Sequence, residues 1–227
     1  KLPKGISSSD KGFWLPLVHY TRPSEWFYVG MQIRMVDKEP KYVTVRFSEK
    51  TPLCHTALPK EDRSDGRRWA RVWLTEGFFK AEAIAHYLGD VAVASVGLSS
   101  QSATNAAMEA ARWWSKEANL VGAPIIVAPD SDAREKREVA RAWWRTIQSL
   151  QRSGFSVIVA LWNPDHKGID DALIAGAEIE FVTPEEWLCE IAKTLPPKEV
   201  EALVGFRPRK WVWAEDLPES LEPLKIN

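Results

Sequence analysis

The stretch Pro124-Ile-Ile-Val-Ala-Pro-Asp130-Ser-Asp132 decides the fold. Its apolar part is short, β-branched and closed by proline, which is the pattern of a buried strand, and the strand runs directly into two carboxylates. Working outward, the same texture recurs, with strands expected at Arg71 to Thr75, Val91 to Val96 and Ser156 to Trp162. Between them lie amphipathic helical patterns at Lys80 to Leu88, Ala103 to Asn119 and Arg134 to Arg152. Strands alternating with helices of this length are βαβ crossovers, so the chain is expected to be α/β, with a mostly parallel sheet flanked by helices. A short strand at Ile179 to Val182 and a helix at Pro184 to Thr194 follow. From Leu195 onward, prolines at 196, 197, 208, 218 and 223 break the pattern into a short helix and irregular chain.

Towards the other end, Tyr28 to Met35 and Tyr42 to Phe47 are separated by the turn-like Asp37-Lys-Glu-Pro40, a β-hairpin pattern. Arg63-Ser-Asp-Gly-Arg-Arg68 forms a polar junction between the two textures. Three units are expected: a small β-rich N-terminal subdomain over 1–68, the α/β domain over 69–195, and a C-terminal helix and proline-rich segment over 196–227.

Of the 227 residues, 45% are hydrophobic and 27% charged, the profile of a globular chain. Thirty basic residues against 31 acidic ones give a net charge of −1, which excludes a polybasic binder and requires any anionic partner to be held by a local patch. The two cysteines, Cys54 and Cys189, form neither a zinc spacing nor a disulfide framework, so a reducing cytoplasm is expected. The apolar run near Ala123 to Ala128 falls far short of the roughly 20 residues of a membrane span. The chain begins at Lys1 without a leader pattern and reads as a piece of a longer polypeptide.

Tryptophan is unusually frequent, with 12 against 4 Tyr and 8 Phe. Trp113-Trp114 and Trp143-Trp144 fall within sheet-covering helices, so at least one of each pair is expected in the core. Trp211 and Trp213, near Arg207, Arg209 and Lys210, fit either a base-stacking surface or an ordinary amphipathic edge.

In an open parallel sheet, ligands bind beyond the carboxyl ends of the strands. Those ends carry Glu76-Gly77, Asp130-Ser-Asp132 and, after a short loop, Lys167-Gly-Ile-Asp170-Asp171. Carboxylates gathered on one rim repel one another unless a cation neutralises them, and hard oxygen donors suit Mg²⁺ or Mn²⁺. In extended chain Asp130 and Asp132 point to the same side and can share one metal cluster. Local roles compete: Asp132 with Glu135 fits a capping box, and Asp170 or Asp171 fits a cap for a short helix through Ile174. Arg134, Arg137, Arg141 and Arg145 share one helix face, which suits either a nucleic-acid backbone or a solvated surface with Glu138 as ion-pair partner.

Glu76-Gly77 with Lys80, then Ser95-Val-Gly97, then Asp130-x-Asp132, in this order over about residues 69 to 182, resembles the TOPRIM domain. That metal-dependent module is shared by DnaG-type primases, type IA and type II topoisomerases and some nucleases. Within this group, Tyr28-Val-Gly30-Met-Gln-Ile-Arg34, Pro40-Lys41-Tyr42 and Ser48-Glu-Lys-Thr-Pro-Leu53 are similar to the segment preceding TOPRIM in DnaG-type primases. The array looks most like the primase-like domain that phage, plasmid and integrative elements fuse to helicase modules. It departs from the primase pattern at Ser131, which stands in place of the Gly of Asp-Gly-Asp, and at Arg134-Glu135.

The resemblance implies a primase-type nucleotidyltransferase that acts on single-stranded DNA and nucleoside triphosphates, with Glu76, Asp130, Asp132 and Asp170 as catalytic residues. It further implies that Glu76, Asp130 and Asp132 bind Mg²⁺ (or Mn²⁺), supported by Asp170 and Asp171, with Arg34, Lys41, Lys80 and Lys167 as candidates to grip nucleotide or template; Arg134, Arg137 and Arg141 are the candidates that the helix face itself offers for the backbone. A TOPRIM nuclease and a non-catalytic nucleic-acid-binding module are the alternatives. A topoisomerase would need a further domain carrying a nucleophilic Tyr. The sequence G-x-x-x-x-G-K-[ST] is missing, so a helicase activity would reside in another module of the parent protein.

Overall fold

The computed structural model describes residues 12–22, 25–36, 39, 42–46, 54–59, 70–97, 101–117, 120 and 122–204. Lys41, the segment 48–53, the junction 63–68 and the Arg207 to Trp213 cluster lie outside the described residues.

An antiparallel three-stranded sheet, in the order β1-β2-β3, comprises β1 (Gly12–Arg22), β2 (Glu25–Met35) and β3 (Tyr42–Arg46). The β2–β3 pair is the hairpin expected from the sequence, with Gln32 opposite Thr44. β1 is concealed in the sequence by Pro16, which cannot donate to a ladder; it is tolerated because β1 is an edge strand.

The second sheet has six strands in the order β4-β6-β5-β7-β8-β9: β4 (Cys54–Ala57), β5 (Val72–Glu76), β6 (Val91–Ser95), β7 (Ile125–Val127), β8 (Val157–Leu161) and β9 (Glu180–Val182). The four central strands are parallel, and β4 and β9 close the edges antiparallel. β4 comes from before the polar junction at 63–68. Its Cys-His-Thr-Ala has no apolar alternation to announce a strand, yet all four residues are buried beside β6.

Helices cover both faces, which is why the central strands are apolar throughout rather than alternating. Val72, Leu74, Val91, Val93, Ile125 and Val127 pack beneath α2 (Gln101–Glu117), α3 (Arg137–Arg152), α5 (Pro184–Thr194) and α6 (Pro197–Val204). Trp73, Ala92, Ala94, Ile126 and Ala160 face α1 (Phe78–Leu88) and α4 (Ile169–Ile174). Trp114, Trp143, Trp144 and Trp187 fill the first layer, with Trp144 stacked on Trp187 at a centroid distance of 6.4 Å. In the second layer the Trp73 indole donates to the buried Asp90 at 3.1 Å, and Arg71 pairs with the same carboxylate at 3.0 Å, pinning the amino ends of β5 and β6. Among the described residues no helix is long and apolar enough to cross a membrane.

Trp143 is fully buried, so Trp143→Ala should lower the unfolding free energy by about 3–5 kcal/mol in denaturant melts. Changing the exposed Tyr87 to Ala should stay within about 0.5 kcal/mol. The place of β4 can be read from thiol chemistry. Burial, with Glu109 adding to it, pushes the Cys54 thiol up to about 12, whereas Cys189 is exposed. One thiol per native chain should therefore react with an alkylating reagent at neutral pH, and the second only on unfolding; two fast-reacting thiols would remove β4 from the sheet.

Candidate active site

From β5 the chain passes to β6 on one side and returns to β7 on the other. The two crossovers diverge there and leave a crevice at the carboxyl ends of β5 and β7. Glu76 ends β5, and Asp130 follows β7. Ala128 N donates to the Leu74 carbonyl at 2.9 Å, and Thr75 Oγ1 donates to the Ala128 carbonyl at 3.3 Å, so the two exits are tied together. Gly77 turns the chain out of β5 at φ 88°, a value that disfavours any side chain, while its N–H donates to the Ser95 carbonyl of β6 at 2.9 Å. The Glu-Gly pair is thus the geometry of a strand that must turn sharply into α1.

The crevice opens into a cleft of about 240 Å³. Glu76, Asp130, Asp170 and Asp171 contribute its acids, and Lys80, Lys167 and Arg34 its cations. Tyr42, Phe78 and Phe79 complete the wall. The N-terminal sheet supplies part of it: the Arg34 guanidinium lies 4.9 Å from the Phe79 ring centroid and 5.9 Å from that of Tyr42. Phe78 and Phe79 were not singled out in the sequence; their position directly after Glu76-Gly77 was the available signal.

Lys80 reaches from α1 across the cleft floor. Its Nζ stands 2.7 Å from each Asp130 oxygen and donates a hydrogen bond to Oδ2. Asp130 is 9% exposed, and burial raises its carboxyl above the ordinary range. The Lys80 and Lys167 ammoniums work against that rise, and Asp132 adds to it. Asp130 Oδ1 and Asp170 Oδ1 are buried and accept no hydrogen bond. Asp130 Oδ1 is charge-paired with the Lys80 ammonium at 2.7 Å, so the hard oxygen left without a partner is that of Asp170, a donor of the kind Mg²⁺ or Mn²⁺ takes. Among the described residues, however, no three His, Cys, Asp or Glu side chains already stand as a compact ligand set.

Asp132 is placed differently from the sequence expectation. Residues Ser131–Arg134 form a 3-10 turn rather than extended chain, which rotates successive side chains by about 120° instead of 180°. Asp132 therefore does not share Asp130's place in the cleft. It accepts from Lys136 Nζ at 2.8 Å and lies 3.9 Å from Lys167 Nζ. Nor does it cap a helix, since α3 begins only at Arg137, with Lys136 at its N-cap. Asp171 does fill a local role, accepting the Gly168 N–H at 3.4 Å at the start of α4.

Ser131 ties the loops together, because its N–H and Oγ both donate to the Lys167 carbonyl, at 2.9 and 3.1 Å. The Trp162 indole donates to His166 O at 2.9 Å and holds the far side of that loop. The arginine stripe does not reach the cleft. Arg134 borders a small recess beside Asp130 and Trp187, Arg137 pairs with Glu138 at 3.9 Å, and Arg141 and Arg145 line a groove between α2 and α3.

The architecture is that of a known fold. A solved structure of the DnaG catalytic core matches with a TM-score of 0.51 at 18% identity, over 85% of this chain and 55% of that one. The Escherichia coli primase catalytic core and a DnaG primase catalytic domain bound to single-stranded DNA give TM-scores of 0.49, each at 18% identity over 86% of this chain and 55% of theirs. The chain thus spans about half the length of these structures, and at this identity the likeness is one of fold. A domain family described as a domain of unknown function, DUF3854, matches residues 68–179. No curated protein matches the chain.

Asp130→Asn should raise the unfolding temperature at pH 7. Because the folded-state pKa lies above the ordinary 3.8, ionising this carboxyl opposes folding. That cost is fully present above the raised pKa and vanishes below 3.8, so the variant's advantage should shrink as the pH falls. An Asp130→Asn protein less stable than wild type at neutral pH would contradict the burial argument.

Proposed function

We propose that the chain is the catalytic part of a primase-like nucleotidyltransferase, which builds primers on single-stranded DNA from nucleoside triphosphates with Mg²⁺ or Mn²⁺. The observation that carries this reading is the cleft itself. Carboxylates of Glu76, Asp130, Asp170 and Asp171 line the crevice at the switch point beside Lys80, Lys167 and Arg34, in a fold shared with the DnaG catalytic core. Acids for a metal and cations for a polyphosphate in one crevice are what nucleotidyl transfer requires.

In this reading Glu76 and Asp130 hold the ion, with Asp170, Asp171 and Asp132 supporting it from the cleft and its flank. When bound, Mg²⁺ supplies neutralisation of the charge developing on the α-phosphate and favours the ionised form of the attacking hydroxyl. The protein does the rest. Lys167, on a loop anchored by Ser131 and Trp162, and Arg34, braced between Tyr42 and Phe79, grip the triphosphate and the template backbone. The 3′ oxygen of the growing primer bonds to the α-phosphorus, pyrophosphate leaves, and the hydroxyl proton passes to solvent. The proposed setting is a mobile-element replication protein in the cytoplasm, whose helicase module lies elsewhere in the parent polypeptide.

Incubation with single-stranded DNA, labelled ribo- or deoxyribonucleotides and Mg²⁺ or Mn²⁺ tests the reading. Newly made oligomers are expected, and Glu76→Gln should reduce them by at least about 100-fold, the scale of losing one electrostatic partner of a transition state, while leaving the melting temperature near wild type. Shortened DNA would make the chain a TOPRIM nuclease, and neither product would make it a binding module. In single-strand binding, Arg34→Ala should reduce the salt slope by about 1, as for a lost phosphate contact. Arg141→Ala with Arg145→Ala should leave it unchanged, because these two line the α2–α3 groove instead.

A further inference from the structure

Lys80 occupies the first turn of α1, where the helix dipole disfavours a cation, so the helix does not account for a lysine at this position. Its side chain is only 18% exposed, and its Nζ stands 2.7 Å from both oxygens of Asp130. The stem packs against Gly168. A Cβ on Gly168 would meet Lys80 Cε at 2.7 Å and Asp170 Oδ1 closer still, so the lysine and Asp170 converge on one point that only glycine leaves open. Asp130 Oδ1 and Asp170 Oδ1 are both buried without a hydrogen bond. A positive charge therefore sits against both oxygens of the buried carboxylate that follows β7, with the Asp170 carboxyl beside its stem, where a divalent ion would stand.

We propose that the Lys80 ammonium holds a divalent-cation position at Asp130, beside Asp170, so that removing it lets the chain bind one more divalent ion than it binds with the lysine in place. The ammonium neutralises the Asp130 carboxylate permanently, but it cannot accept a phosphate oxygen as a ligand. A native site built this way works with one exchangeable ion fewer than its carboxylates would otherwise recruit. The inference rests on the proposed reading only in taking the cleft to be a divalent-cation site.

The test counts Mn²⁺ bound per metal-free chain, from the electron paramagnetic resonance signal of free Mn²⁺, in wild type, Lys80→Ala and Lys80→Ser. Cooperative thermal unfolding would confirm that each variant is folded, and the serine variant serves if the alanine variant is not. One additional Mn²⁺ per chain is expected in the Lys80 variants, and it should disappear when Asp130→Asn is added. Equal numbers with and without Lys80, zero included, overturn the inference, as does an additional ion that survives Asp130→Asn. If wild type binds no Mn²⁺ and Lys80→Ala binds one, the inference stands and the metal-dependent reading of the native chain fails. If both bind the same non-zero number, that reading stands and the inference fails.

Discussion

Parallel strands cannot be joined by tight turns, and every consequence in this molecule follows from how β5 solves that constraint. Its crossover to β6 runs by α1 over one face, and the return to β7 runs by α2 over the other. β5 exits into α1 on one face, and β7 exits through the 3-10 turn into α3 on the other, so the two connections diverge and leave a crevice between them. Glu76 and Asp130 are the residues that leave those exits. The cleft is thus a product of topology before it is a product of side chains. The hydrogen bonds from Ala128 to Leu74 and from Thr75 to Ala128 make its two lips one rigid unit.

The side chains then load this gap with charge at a cost to stability. Asp130 is buried enough for desolvation to outweigh the lysines that face it, and Asp170 keeps one oxygen buried and unbonded. Strain of this kind persists only on a scaffold that over-determines it. Here the scaffold is two apolar layers with large indoles at their centres and the Asp90 clamp at the opposite end of the sheet. The buried charge and the clamp that steadies the sheet are therefore divided between the two ends of the same strands.

The α/β class and the succession of strands and helices along the parallel core were legible because short β-branched runs and long amphipathic ones differ in period; the order of strands within the sheet was not. Pro184–Thr194 was legible to the residue, since Thr183 and Glu186 form a capping box around Pro184. β1 and β4 were not legible, because a proline in one and buried polar residues in the other erase the alternation that marks a strand. Among the acids, strand ends were enough to bring Glu76, Asp130, Asp170 and Asp171 to one cleft. The fate of Asp132 depended on a 3-10 turn, and that of Lys80 on a contact 50 residues away, neither of which has a local sequence mark.

The central claim is that the cleft between Glu76 and Asp130 takes a divalent ion together with a triphosphate. Diffraction at the manganese absorption edge, from crystals grown with Mn²⁺ and a nucleoside triphosphate, tests it most directly. The account predicts an anomalous peak in that cleft, bonded to a carboxylate oxygen of Asp130, with the triphosphate beside Lys167. Manganese and nucleotide found only elsewhere, with Lys80 still the sole cation at Asp130, would contradict it.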